Sequence, residues 1–265
     1  SSPAEPPMAL FAVCDGHGGD AVARLVAEGL AAALDARVQA GGWADRRARE
    51  AAVRQAFMDV DCSIRQSNGP SSQSCGSTCV AAIIAPKGDG AGESGDGGGT
   101  SSYRVVLANL GDSRGLLYRL GGDALAETLD HKPQDAGERR RIRDAGGYVS
   151  SLDPPPRLDG RLAVSRCFGD FQFKADGSRP PEAQKLGIVP DVYELEAGTG
   201  DFLVLASDGL FDVLSSVDAA AIALQSLKDS AGADDGAVDA AADIVWEALQ
   251  RETGDNTTGL VVVLG

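Results

Sequence analysis

The stretch Leu10-Phe11-Ala12-Val13-Cys14-Asp15-Gly16-His17-Gly18-Gly19 governs the reading of this chain. An apolar run stops at a carboxylate, a glycine, a histidine and two more glycines. The run through Val13 has the composition of a buried interior strand. The glycines after it let the backbone turn sharply and approach an ion or ligand with no Cβ in the way. One carboxylate and one imidazole therefore arrive together at a strand tip. Taken alone, the segment reads equally well as a plain turn in which Asp15 bonds its own backbone and the glycines supply positive φ.

The pattern recurs, and repetition changes the weighing. Val105 to Leu110 ends in Gly111-Asp112-Ser113-Arg114. Phe202 to Ala206 ends in Ser207-Asp208-Gly209, with Asp212 four residues beyond Asp208, and Asp255 stands just before the last apolar run. Carboxylates gathered at the edge of one core repel each other unless cations neutralise them. Oxygen ligands with few histidines suit hard Mg²⁺ or Mn²⁺. With only His17 and His131 in the chain, histidine-rich zinc chemistry is excluded.

Composition narrows the classes further. At 265 residues and 43% hydrophobic, the chain has enough material for one large domain. Its 24 Lys and Arg against 39 Asp and Glu give a net charge of -15, which disfavours nucleic acid as a partner. No run approaches the ~18 to 20 apolar residues of a membrane span, and Ser1 to Pro7 have no signal-peptide character. These features predict an intracellular monomer, cytoplasmic or nuclear. The five cysteines lie in apolar stretches and read as reduced, buried thiols rather than a disulfide framework.

Periodicity places the elements. Val22, Leu25, Val26, Leu30, Leu34 and Val38 mark one face of a helix over Asp20 to Gln39, and Val53, Phe57, Val60 and Ile64 mark a second from about Ala44. Thr78 to Ala85, Tyr103 to Leu110 and Gly115 to Leu120 read as neighbouring strands. Pro86 to Ser102, mostly Gly, Ser and acids, reads as a flexible surface loop without the Gly-Lys-Ser/Thr ending of a nucleotide-binding loop. Asp135 with Glu138 resembles a capping box opening a helix that stops near Gly146-Gly147, and Arg139, Arg140, Arg141 and Arg143 read as its solvated basic face. Asp153 to Ala183 reads as an irregular surface excursion. Strands follow at Asp201 to Ala206 and Gly259 to Leu264, with one or two helices between them, the clearer having Val238, Ala242, Val245 and Leu249 on one face.

Rival phosphate chemistries find no seat. A cysteine nucleophile needs an arginine six residues on, where Cys14, Cys62, Cys75, Cys79 and Cys167 instead have Asp20, Asn68, Ala81, Ala85 and Phe173. The pair Asp59 and Asp61 falls inside a predicted helix and reads as part of a solvated face.

In order, Asp15-Gly16-His17-Gly18-Gly19, Gly76-Ser77-Thr78, Ala108 to Arg114, Asp130-His131-Lys132-Pro133, Leu162 to Arg166, Ala206 to Val213 and Asp255-Asn256 resemble the motifs of the metal-dependent protein phosphatases of the 2C type. The resemblance implies an α+β fold, a four-layer α-β-β-α sandwich of two antiparallel sheets flanked by helices, forming a single catalytic domain over 1–265. It implies two Mn²⁺ or Mg²⁺ ions, with Asp15 bridging both and the Gly16 carbonyl, Asp208 and Asp255 completing the first. Asp112 and Asp212, with Asp208, would hold a weaker third ion. A metal-bridging water would attack the phosphorus of a phosphoserine or phosphothreonine in a protein substrate, and His17 would protonate the departing oxygen. The family's flap would lie over 170–190.

The chain departs from that pattern at its start. Family members open with a strand that carries a phosphate-gripping arginine and a Met-Glu-Asp group, and nothing in Ser1 to Ala9 matches. The expectation is that an upstream part of the natural protein is absent from the chain. The alternative function is a pseudophosphatase, a binding module that keeps the fold without turnover. A two-metal nuclease is disfavoured by the charge.

Overall fold

The structure, a computed structural model, describes residues 8–67, 72–87, 101–150, 154–230 and 235–265. In chain order its strands are β1 (Ala9–Val13), β2 (Gly16–His17), β3 (Gly76–Ser77), β4 (Cys79–Lys87), β5 (Ser102–Leu110), β6 (Arg114–Tyr118), β7 (Ala124–Glu127), β8 (Val149–Ser150), β9 (Arg157–Leu158), β10 (Phe168–Gly169), β11 (Asp191–Gly198), β12 (Phe202–Ala206) and β13 (Gly259–Val263). The α-helices are α1 (Ala21–Arg37), α2 (Arg46–Ser67), α3 (Ala136–Asp144), α4 (Asp208–Phe211), α5 (Ser216–Asp229) and α6 (Gly236–Gln250).

Two antiparallel sheets, β1-β4-β5-β11 and β13-β12-β6-β7, lie face to face. Their strands are apolar on both faces because each sheet is covered twice. On β4, Ala81 and Ile83 join the core beneath α1 and α2, while Val80, Ala82 and Ile84 point between the sheets. On β12, Leu203 and Leu205 point between the sheets, while Phe202 and Val204 meet α5 and α6. This alternation, with period two, produces the four layers. At one end a small sheet, β10-β3-β2, extends the first sheet, and Phe57 of α2 stacks on Phe168 of β10 with ring centroids 5.2 Å apart. No helix among the described residues is long and apolar enough to cross a membrane.

Several sequence expectations need correction. β1 is an edge strand, and of its five residues only Val13 is buried; the apolar run reads as interior because its outer side chains are still half covered. β6 does not pair with β5. The chain turns at Gly111 to Arg114 and starts the second sheet, a change that strand composition does not register. Pro86, Lys87 and Ser102 belong to β4 and β5, and the rest of the expected loop, 88–100, lies outside the described residues.

Helix α6 buries Gly236, Ala240, Ile244 and Ala248, leaving Val238 67% and Leu249 51% exposed. Small residues win because α5 approaches with its own Ala219, Ala220 and Ala223. Ranking positions by size selects the wrong stripe.

Polar expectations also shift. Asp135 begins α3 without a side-chain cap, accepting instead from the Lys132 backbone, and Glu138 makes no capping box. Glu138 is buried and accepts from Arg141 Nη1 at 2.7 Å, Ser165 Oγ at 2.6 Å and Arg166 Nη2 at 2.9 Å. Arg141 thus leaves the solvated face expected of it, whereas Arg139, Arg140 and Arg143 are exposed. Asp61 is likewise buried, accepting from the Gly169 backbone at 2.8 Å and Lys174 Nζ at 2.9 Å. All five cysteines are free thiols, but Cys62 is exposed. The excursion from residue 154 onward has its own core of Leu158, Val164, Cys167, Phe173 and Leu186 under Ile142; Asp153 lies outside the described residues.

Candidate functional site

The site gathers where chain segments leave the sandwich at one end. Residues 9–17 keep a single antiparallel register against 76–84, Val13 opposite Val80 and His17 opposite Gly76, so Asp15, Gly16 and His17 leave the first sheet along a fixed path. Asp112 sits in the crossover from β5 to β6. Asp208 starts α4 directly after β12, and Asp255 precedes β13. A Cβ added to Gly209 would lie 2.3 Å from the Asn256 carbonyl oxygen, so only glycine lets α4 and the Asp255 loop come this close.

Asp15, Gly16, His17, Asp112, Asp208 and Asp255 border one cleft of about 350 Å³. Thr78, Arg157, Arg161 and Leu162 to Val164 also border it. Asp212 is exposed at the end of α4 and is not part of that lining, although Asp208 feels its charge. Within 170–190, Asp170 is the residue that reaches this machinery.

The electrostatics are those of crowded carboxylates. Burial, then the charges of Asp112, Asp15 and Asp212, push the Asp208 carboxyl up to about 7. Asp15 is raised by burial and by Asp112 and Asp255, partly offset by its hydrogen bond with Asp208. Asp112, 4% exposed, is raised by burial against the pull of Lys132, whose Nζ donates to Asp112 Oδ2 at 2.5 Å. Among the described residues, Oδ1 of Asp208 is buried with no hydrogen-bond partner. A buried carboxylate oxygen without a hydrogen-bond partner, set among like charges, is the kind of group a cation satisfies. The donor set therefore fits hard divalent ions. The aspartates are spread around the cleft: among the described residues, His17, Cys167 and Asp170 alone place three such donor atoms within 4.8 Å of one another. Lys132 already neutralises part of the set proposed for a third ion.

His17 is held by a residue that the sequence reading did not single out. Its Nε2 hydrogen-bonds Asp170 Oδ2 at 2.5 Å, and Asp170 is 3% exposed with a left-handed backbone at φ 47°. Gly76 makes room for the pair, because a Cβ there would lie 2.4 Å from Asp170 Oδ2 and 2.5 Å from His17 Nε2. A signal was present: Phe168-Gly169-Asp170 repeats the apolar, glycine, aspartate pattern of the other sites, hidden inside a stretch read as irregular. Arg157 and Arg161 were missed as site residues because nothing local distinguishes them from surface cations, and Lys132, although inside the Asp130-His131-Lys132-Pro133 motif, was given no role there.

The chain matches the family model described as "Protein phosphatase 2C" over residues 1–257. It is 37% identical over 221 residues to "Probable protein phosphatase 1N" of Mus musculus, which covers 83% of this chain and 49% of that protein. It is 34% identical over 255 residues to "Probable protein phosphatase 2C 59" of Oryza sativa subsp. japonica, covering 96% of this chain and 66% of that one. The chain thus spans from half to two thirds of the length of these relatives. Among solved structures it resembles a phosphatase from Toxoplasma gondii with TM-score 0.82 and 28% identity, covering 98% of this chain and 86% of the other.

Proposed function

The chain belongs to the protein phosphatase 2C family, a family of protein serine/threonine phosphatases, and we propose that it hydrolyses phosphoserine and phosphothreonine in protein substrates with two Mn²⁺ or Mg²⁺ ions. The observation that carries this reading is the buried Oδ1 of Asp208, without a hydrogen-bond partner among the described residues, in a carboxylate that also feels the charges of Asp112 and Asp15. Asp15, the Gly16 carbonyl, Asp208 and Asp255 would hold the pair, and Asp112, Asp208 and Asp212 a weaker third ion. When bound, such ions supply a nucleophilic hydroxide at neutral pH and offset phosphate charge.

The chain's own groups supply the rest. Arg157 and Arg161, which border the same cleft as the aspartates, offer positive charge to a phosphate dianion entering it. The carboxylates fix where the phosphorus can sit, since an unscreened phosphate oxygen is repelled by each of them. His17 donates the proton that lets the seryl or threonyl oxygen depart. With Nε2 engaged by Asp170, the proton on Nδ1 of the imidazolium is the one free to leave. Asp170 holds the ring in place, as a buried carboxylate does beside a catalytic histidine.

The test is phosphopeptide hydrolysis with Mn²⁺, with EDTA, and after Asp208→Ala, alongside calorimetric Mn²⁺ binding. Turnover that needs the metal and Asp208 is expected. Metal binding without turnover would make the chain a binding module, and turnover indifferent to both changes would refute the site.

A further inference from the structure

Two thiols face each other one residue upstream of the carboxylate cluster. The register that sets Val13 opposite Val80 and Gly16 opposite Ser77 runs through the intervening residues, so Cys14 stands opposite Cys79 and Asp15 opposite Thr78. The Thr78 N–H donates to Asp15 O at 2.9 Å, which makes Asp15 and Thr78 a hydrogen-bonded pair. Antiparallel pairs alternate, so Cys14 and Cys79 are of the closer kind, with Cα atoms about 4.5 Å apart. That distance lies within the roughly 4.4 to 6.8 Å a disulfide spans.

Their side chains also share a face. Cys79, 0% exposed, belongs to the core beneath α1 and α2, and Cys14 lies against the same core. Both are reduced, free thiols. Cys14 alone of the two opens outward, into a cleft of about 510 Å³ between β1 and α1 that Leu10, Ala12, Ala23 and Leu30 also line. The remaining cysteines lack this arrangement. Cys75 is opposite Gly18 and donates to Gly19 O at 3.4 Å, Cys167 is buried beside Asp170, and Cys62 stands exposed on α2.

We propose that Cys14 and Cys79 are a peroxide-responsive dithiol whose disulfide displaces Asp15 and Thr78 and so disables the carboxylate site. In the first step the O–O bond of a peroxide breaks, the Cys14 sulfur takes one hydroxyl to become a sulfenic acid, and water leaves (or an alcohol, from an organic peroxide). In the second the Cys79 sulfur attacks the Cys14 sulfur, the S–S bond forms, the S–O bond breaks, and a water leaves with the remaining thiol proton. Two thiols are oxidised and one peroxide is reduced. The backbone carries the effect: a disulfide prefers Cα atoms about 5.5–6 Å apart, so joining a closer pair spreads the two strands, and Asp15 and Thr78 are the immediate neighbours of the joined residues and line the cleft.

Linkage does not depend on the phosphatase reading, although its consequence for turnover does. The experiment therefore reads the two separately, in a Cys62→Ser background that removes the exposed thiol. After hydrogen peroxide, alkylation and digestion, mass spectrometry is expected to find Cys14 joined to Cys79. Calorimetric Mn²⁺ affinity is expected to fall about ten- to a hundred-fold and to recover with dithiothreitol. Cys14→Ser and Cys79→Ala, made separately so that one fold defect does not decide the matter, should each abolish the reversible loss. Peroxide treatment that leaves both residues as free thiols would overturn the proposal. So would a linked protein with unchanged Mn²⁺ affinity, or reversible inactivation that persists in both variants.

Discussion

Replacing Gly76 with alanine tests the His17–Asp170 pair without touching either residue. The new Cβ would lie 2.4 Å from Asp170 Oδ2, 2.5 Å from His17 Nε2 and 2.8 Å from the Phe168 carbonyl oxygen, against the 3.4 Å at which ordinary contact begins. The Phe168 backbone is fixed by β3–β10 pairing, so the side chains must yield by about 1 Å, enough to separate a 2.5 Å hydrogen bond. A displacement of that size at a catalytic group costs on the order of 100-fold in turnover, or about 2.7 kcal/mol in the barrier. Local overpacking adds a stability loss of about 1–3 kcal/mol, so assays must run well below the variant's melting temperature. The assay compares two substrates. A phosphoserine peptide has a poor leaving group that needs the His17 proton, whereas an aryl phosphate with an acidic phenol needs it far less. The expectation is a loss of about 100-fold in kcat on the peptide and only a few-fold on the aryl ester. Equal losses on both substrates would mean that Gly76→Ala damages the metal cluster or the fold, and no loss on the peptide would refute the role of the pair.

Two further outcomes follow from the charges. With EDTA present, the metal-free protein should lose stability as pH rises from about 4 through 7: burial and the neighbouring carboxylates hold Asp208 up to about 7 when folded against an ordinary 3.8, so the native state holds the extra proton that higher pH removes. Allowing for partial solvent screening the loss is about 1–2 kcal/mol; Asp208→Asn should flatten it in thermal melts, and a slope of opposite sign would contradict the crowding of carboxylates. Glu138→Gln should lower stability by about 3–5 kcal/mol by leaving Arg141 and Arg166 short of their buried counter-charge, seen as a lower urea midpoint with unchanged m-value. Burial works to raise the Glu138 carboxyl, but Arg166 and Arg141 outweigh it and hold the group at about 2 against a usual 4.5. Its stabilisation is therefore present above pH 4.5 and lost as pH falls towards 2, an acid limb the variant should lack.

What sequence reading reaches here depends on how far the cause of a feature lies from the residue. Helices α1 and α2 were legible because Val22, Val26, Leu30 and Leu34, and Val53, Phe57, Val60 and Ile64, carry their periodicity locally. The aspartates at strand ends were legible because an apolar run cut short by Gly and Asp is also a local pattern. The stripe of α6 was not, since whether Val238 or Ala240 faces inward is settled by the size of the residues on α5. Glu138 was misread for the same reason: its partners Ser165 and Arg166 are 27 and 28 residues away, and a capping box is the nearest local explanation for its position. Asp170 belongs with these, being separated from His17 by 153 residues.

The carboxylates and the proton donor depend on one structural device, the common register that residues 9–13 keep against 80–84 and residues 16–17 keep against 76–77. It fixes Asp15 by pairing it with Thr78, and it puts His17 opposite Gly76, the residue whose missing side chain admits Asp170. A slip of one residue would turn Val13 out of the inter-sheet core and Cys14 into it, so the hydrophobic contacts of the sheet enforce the geometry of the site. Buried carboxylates held apart in this way cannot relax by moving away from each other. They respond by taking up protons, as Asp208 does, or by binding cations, as Asp112 does with Lys132. The rigidity that destabilises the metal-free cluster is the same property that prepares it for a divalent ion, because the repulsion an ion must relieve is already built into the fold.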